Sequence, residues 1–139
     1  MTPSGKAVVR KWFAEVWDRK DASAIDRIAD PECVIHGLGE GGPSPGALAH
    51  FKQFHALFCS TYPDMAVTIE DMVEEGDRVA WRITFRGTHA GHALGIPATN
   101  RPVAVSAIGI SRIRNGRIVE GWNEFDRYGM FQQMGAAMP

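Results

Sequence analysis

Three carboxylates and an indole fall on one side of a short run near the C-terminus. In Glu120-Gly121-Trp122-Asn123-Glu124-Phe125-Asp126, period-two alternation sets Glu120, Trp122, Glu124 and Asp126 on one strand face. A carboxylate beside indole in a partly dry site has a raised pKa, and a carboxyl poised near neutrality can take and return a proton. Asp126 is the first candidate for that acid/base work, although an Asp at a strand end also caps a following helix, here one starting at Arg127. Glu124 is expected at the rim of such a site and Glu120 in water beside the hairpin, while Asn123 falls on the opposite face of a regular strand. Histidine supplies a second chemistry. Periodicity points His36 and His55 inward, where a neutral imidazole can donate to a developing oxyanion or simply be satisfied within the core. His89 and His92 flank Gly91 in a loop able to close over a pocket mouth, with His92 as a substrate contact. None of the five histidines forms a metal-ligand spacing, so no metal is expected.

These groups need elements to hold them. An apolar stripe of Val9, Trp12, Phe13, Val16 and Trp17 predicts a helix over 4–20. Asp21 is a good N-cap for a short helix reaching residue 29, which Asp30-Pro31 should stop. Residues 33–38 read as a short strand and the glycine-rich 39–43 as a mobile loop. Ser44-Pro45 predicts the start of a helix running to Tyr62, its stripe made of Leu48, Phe51, His55, Phe58 and Tyr62. From residue 66 the period changes to two, giving antiparallel strands over 66–75, 78–88, 102–114 and 117–126. Gly76-Asp77, residues 90–101 and the tight-turn pair Asn115-Gly116 join them. Residues 127–134 form a short terminal helix or a turn. Helices followed by a meander predict an α+β fold in which three N-terminal helices pack on one face of a strongly curved, mainly antiparallel sheet, giving a cone-shaped barrel. The mouth of a cone is a natural small-molecule pocket. Trp17, Phe51, Phe58, Trp81 and Trp122 are the aromatics expected against a substrate, and a cone would need them as filling in any case.

Size and composition exclude several classes. A chain of 139 residues is expected to form one domain, 1–139. A formal net charge of -1 without Lys/Arg runs argues against nucleic acid as a partner. No stretch is long and apolar enough for a membrane span, so the expectation is a soluble cytoplasmic protein. Cys33 and Cys59, far apart in apolar contexts, read as reduced core residues. Ile108 and Ile110 on the open sheet predict a homodimer or higher homo-oligomer through its outer face.

In order and spacing the chain resembles the SnoaL-like polyketide cyclases, within the nuclear-transport-factor-two-like or ketosteroid-isomerase-like superfamily. The resemblance rests on Trp17-Asp18, the strand with His36, Tyr62-Pro63-Asp64, Gly76-Asp77-Arg78-Val79-Ala80 and Gly87-Thr88-His89-Ala90-Gly91. It continues through Arg112-Ile113-Arg114-Asn115-Gly116-Arg117-Ile118, Glu120-Gly121-Trp122 with Asp126, and Gln133-Met134-Gly135. Asn100 and Met134 stand where the family usually has Gly and Leu. The resemblance implies a cofactor-independent cyclase or isomerase acting on a hydrophobic, polyketide-like carbonyl compound. In the family the acid of a Trp-x-x-x-Asp arrangement is the proposed acid/base, matched here by Trp122 and Asp126. On that reading Asp126 removes a proton beside a carbonyl, His36 or His55 holds the enolate oxygen, and the enolate attacks a second carbonyl or is reprotonated elsewhere. Tyr62 and Tyr128 are the only phenolic donors. Two alternatives stand beside it. One is water activation on an epoxide by Asp126, Arg82 or Arg112, and Asp71; the other is non-catalytic binding of a lipophilic ligand.

Overall fold

A first turn forms where the Ser4 hydroxyl accepts a hydrogen bond from the Ala7 amide at 3.2 Å, opening helix α1, Gly5–Lys11. The computed structural model describes residues 2–38, 46–92 and 94–135. Beyond Lys11 the helix does not continue as expected: Trp12–Asp18 is a π-helical segment, closed by the Arg19 amide on the Ala14 carbonyl at 3.0 Å. Five residues apart, Trp12 and Trp17 would diverge by about 140° on an α-helix, whereas the wider turn brings them nearly into line. Both indoles then meet Phe51, at 5.1 and 5.9 Å between ring centres.

Asp21 accepts from the Ser23 amide at 3.0 Å, as a cap should, and α2 follows as Ser23–Ile28. The predicted stop at Asp30-Pro31 is instead inside strand β1, Ala29–His36. Proline is tolerated there because β1 is an edge strand whose ladder is irregular between Ala29 and Val34. The glycine-rich loop 39–43 and the Ser44-Pro45 helix start lie outside the described residues. Helix α3 is Leu48–Thr61, beginning later than predicted because Gly46 has φ +87° and Ala47 is extended, bridging Val34.

Period-two patterning placed the remaining strands well: β2 is Ala66–Glu75, β3 Arg78–Thr88, β4 Pro102–Arg114 and β5 Arg117–Phe125. The order is β1-β5-β4-β3-β2, antiparallel except for β1, which runs parallel to β5. Helix α4, Arg127–Gln133, packs Met130 and Phe131 back on the sheet, and Gln133 exchanges two hydrogen bonds with the Ala104 backbone. The result is the expected α+β cone: a curved, unclosed five-stranded sheet with helices on its concave face. Val79, Trp81, Ile83 and Phe85 of β3 and Val103 and Val105 of β4 face the helices and are buried, each contributing roughly 1.5–3 kcal/mol of transfer free energy. The outer face carries Ile108 and Ile110, 56% and 36% exposed. Cys33 and Cys59 are free thiols, and burial pushes Cys33 up to about 12. No helix among the described residues is long and apolar enough to cross a membrane.

Candidate functional site

The π segment, α3 and the inner faces of β3 to β5 enclose a two-lobed hollow. The outer lobe, about 60 Å³, lies among Phe54, Phe58, Phe85 and Phe125; the inner lobe, about 50 Å³, among Trp12, Phe51, Ser111 and Gly121. Phe13, Trp17, Leu38, Trp81 and Asn123 border both, which makes them one cavity with a waist. A dry cavity of about 150 Å³ is what holds benzene, so a ring-sized ligand must part the half-buried Phe54 and Phe125.

Two polar side chains face the inner lobe, and both have a donor to spare. Trp81 Nε1 donates to Ser111 Oγ at 3.1 Å, which leaves the Ser111 hydroxyl hydrogen without an acceptor among the described residues. Asn123 Nδ2 donates to the His36 carbonyl at 3.2 Å, which fixes the amide orientation and leaves its second N–H. Gly37, at φ +89°, holds Asn123 from behind; a Cβ there would overlap the Asn123 carbonyl oxygen. Ser111 pairs with Gly121, two residues from Asn123 on the same face, so the two donors are diagonal neighbours about 7–8 Å apart by strand geometry. Gly121 itself leaves the lobe open between them.

The structure brings together some of the sequence-predicted residues and separates others. Trp17, Phe51, Phe58 and Trp81 line the cavity, and Glu124 borders the outer lobe while remaining exposed. The face shared by Glu120, Trp122, Glu124 and Asp126 was read correctly as one face, but it is the convex one. Trp122 therefore lies outside the cavity, stacked on His36 at 5.5 Å, with the Arg78 guanidinium 5.4 Å from its ring. Asp126 is exposed, and its Oδ1 accepts from the Gly129 amide at 2.9 Å as the N-cap of α4, the alternative the sequence had offered. His36 also points outward, because Cys33 and Ile35 take the inward positions of β1; its Nε2 lies 3.0 Å from Glu120. That hydrogen bond, followed by Arg112, holds the Glu120 carboxyl below the usual range, the reverse of the raised value expected beside indole.

His55 does point inward but lines neither lobe. Its Nε2 must carry the proton, since it donates to the Val16 carbonyl at 2.6 Å, and it satisfies the end of the π segment. His92 is exposed and accepts from the Ala98 amide at 3.1 Å, holding a loop instead of a substrate. Tyr62 donates to Met134 Sδ at 3.1 Å and Tyr128 is exposed, so neither phenol reaches the cavity. The water-activating relay is also dispersed: Arg82 pairs with Asp71 at 2.7 Å, Arg112 with Glu120 at 3.2 Å, and Asp126 with a backbone amide. Asn123 and Ser111 were missed as functional candidates. Their signal was available in the alternation that puts Asn123 opposite Asp126 and in the small Gly121 beside it.

Comparison with known proteins agrees with this architecture. The chain resembles IdmH from Streptomyces antibioticus, named as a candidate polyketide cyclase, at 30% identity over 96% of this chain and 100% of that one, with a TM-score of 0.84. AclR, a candidate hydroxylase from Streptomyces galilaeus, is 26% identical over 94% of this chain and 80% of that one, TM-score 0.82. TsrD from Streptomyces laurentii is 29% identical over 94% of each chain, TM-score 0.80. No curated protein matches the chain significantly. The sequence profile of the SnoaL-like polyketide cyclases matches residues 7–134, and the chain belongs to that family.

Proposed function

We propose that this protein closes a ring on a hydrophobic, polyketide-like carbonyl compound by folding it in the two-lobed cavity and holding one carbonyl oxygen on Asn123 and Ser111. The observation that supports this is the pair of spare donors, each positioned by a bond on its other side, at the closed end of an otherwise aromatic hollow. Asp126 is not part of the reading, because it caps α4 on the outside. A methylene flanked by two carbonyls enolises readily, so the protein's part is to fold the chain and favour the enol or enolate. The enol carbon attacks a second carbonyl of the same molecule, a carbon–carbon bond forms, and the new alkoxide takes the enol proton. Confinement of the two reacting carbons can lower the barrier by about 7 kcal/mol or more. Each oxygen donor adds roughly 3 kcal/mol.

The test uses 1-phenylbutane-1,3-dione, whose enolate absorbs at longer wavelength than its keto form. Bound to the protein, its apparent ionisation moves to lower pH, and Asn123→Leu with Ser111→Ala abolishes that shift while retaining binding. A second reading, simple carriage of a lipophilic ligand, is favoured by the exposed position of Asp126 and the aromatic walls. Binding with no spectral shift in either protein selects it and overturns the catalytic proposal.

A further inference from the structure

The convex face of the sheet presents three residues per row across β3, β4 and β5, and the rows are polar in a consistent sense. Register places Arg82, Ile108 and Glu124 in one row and Ala80, Ile110 and Trp122 in the next. A third row contains Arg78, Arg112 and Glu120, in which Glu120 already holds Arg112 and His36. Each row therefore runs from a basic or small residue on β3, through β4, to an acidic or large residue on β5.

We propose that this face pairs with the same face of a second copy, about a two-fold axis lying along β4. Rotation about that axis lays each row on itself in reverse. Arg82 then meets Glu124 of the second copy, the small Ala80 meets its Trp122, and Ile108 and Ile110 cover their own counterparts. The other in-plane two-fold, across the strands, would lay basic β3 on basic β3, so charge selects the first. Arg82 brings Asp71 with it at 2.7 Å, and Trp122 arrives already braced between His36 and Arg78, so few side chains need ordering. The stacked Arg112 pair at the axis is the one like-charge contact, and each Arg112 is neutralised by its own Glu120 at 3.2 Å.

Area and composition favour a second copy over an unrelated partner. Five strands spaced about 4.8 Å, each about nine residues at 3.4 Å, give a face of roughly 700 Å². A stable interface buries about 800 Å² per partner. Self-association also needs the patch to be complementary to itself, which the reversed rows provide.

Sedimentation equilibrium tests the pairing. The wild-type protein is a dimer, and Arg82→Glu and Glu124→Arg each raise the dimer dissociation constant at least tenfold, since each puts like charges together twice. An equimolar mixture of the two variants forms a heterodimer as tight as wild type, because both contacts become opposite-charged again; a variant that failed to fold could not show this. Ala80→Trp likewise breaks the dimer, and Trp122→Ala in the other copy restores it. A monomeric wild type, or a dimer unaffected by the single changes, or a mixture that fails to pair, overturns the proposal.

Discussion

The role of Asp126 can be decided by thermodynamics before any substrate is known. Its Oδ1 caps α4 through the Gly129 amide at 2.9 Å, and a methyl group built on Gly129 has Asp126 carboxylate atoms as its three nearest neighbours, in overlap. Asp126→Ala removes the cap and should cost about 1 kcal/mol. Unfolding entropy of about 2.1 cal/mol/K per residue, over 139 residues, is about 0.3 kcal/mol/K, so the melting temperature falls by roughly 3 °C. Asp126→Asn keeps the hydrogen bond and loses only the charge at the helix N-terminus, a cost of roughly 0.3 kcal/mol or little more. Gly129→Ala then supplies the decisive sign. In an unobstructed helix this change stabilises by about 1 kcal/mol; here the methyl displaces the capping carboxylate, so the wild-type background gains nothing or loses. In the Asp126→Ala background the obstruction is gone, and the same change should raise the melting temperature by about 2–3 °C. Calorimetry on the four proteins of this cycle measures the coupling. Additive effects, or an Asp126→Asn protein that keeps its stability but loses the enolate shift with the diketone, would refute the capping account.

Other expectations concern the cavity and its frame. Gly121→Val fills the inner lobe, where an added Cβ meets only ordinary contacts at 3.8–4.0 Å, so stability is kept while diketone affinity in a fluorescence titration falls at least tenfold. His55→Phe leaves the Val16 carbonyl without its donor and should lower stability by about 1–3 kcal/mol in urea denaturation. Burial, reinforced by nearby His92, holds His89 below its ordinary value of 6.5. Its contribution to stability is therefore complete above pH 6.5 and declines as pH falls towards the folded-state value, because the unfolded chain takes up the proton first. A melting temperature that is flat from pH 7.5 to 5.5, or that falls equally in His89→Gln, contradicts this.

The strand boundaries of β2 to β4 were legible because alternation is strong there: Val79, Trp81, Ile83 and Phe85 alternate with Arg78, Ala80, Arg82 and Thr84. The side of β5 that faces inward was harder to read. Trp122 is bulky enough to suggest the interior, yet it finds burial on the convex face between an imidazole and a guanidinium. Small residues marked the true inner face, since a hollow requires Gly121 and tolerates Asn123 only where its amide finds a partner in His36. Pro31 misled for a similar reason: its missing donor is a local fact, but whether a donor is needed depends on which edge the strand occupies, and that is set by pairing with β5. The switch from α to π at Trp12 left no periodic trace, because seven residues are too few to distinguish a period of 3.6 from a longer one.

That π segment makes the cavity depend on a count of residues as much as on their kind. Removing any one residue between 12 and 18 would let the helix tighten to α and turn everything after the deletion by about 100° about its axis. Trp17 would swing away from the waist it shares with Trp81, and the Val16 carbonyl away from His55. Relatives that differ here by a single-residue gap would thus present a different inner wall from an almost unchanged alphabet, a route to new ligand shapes that needs no new side chain.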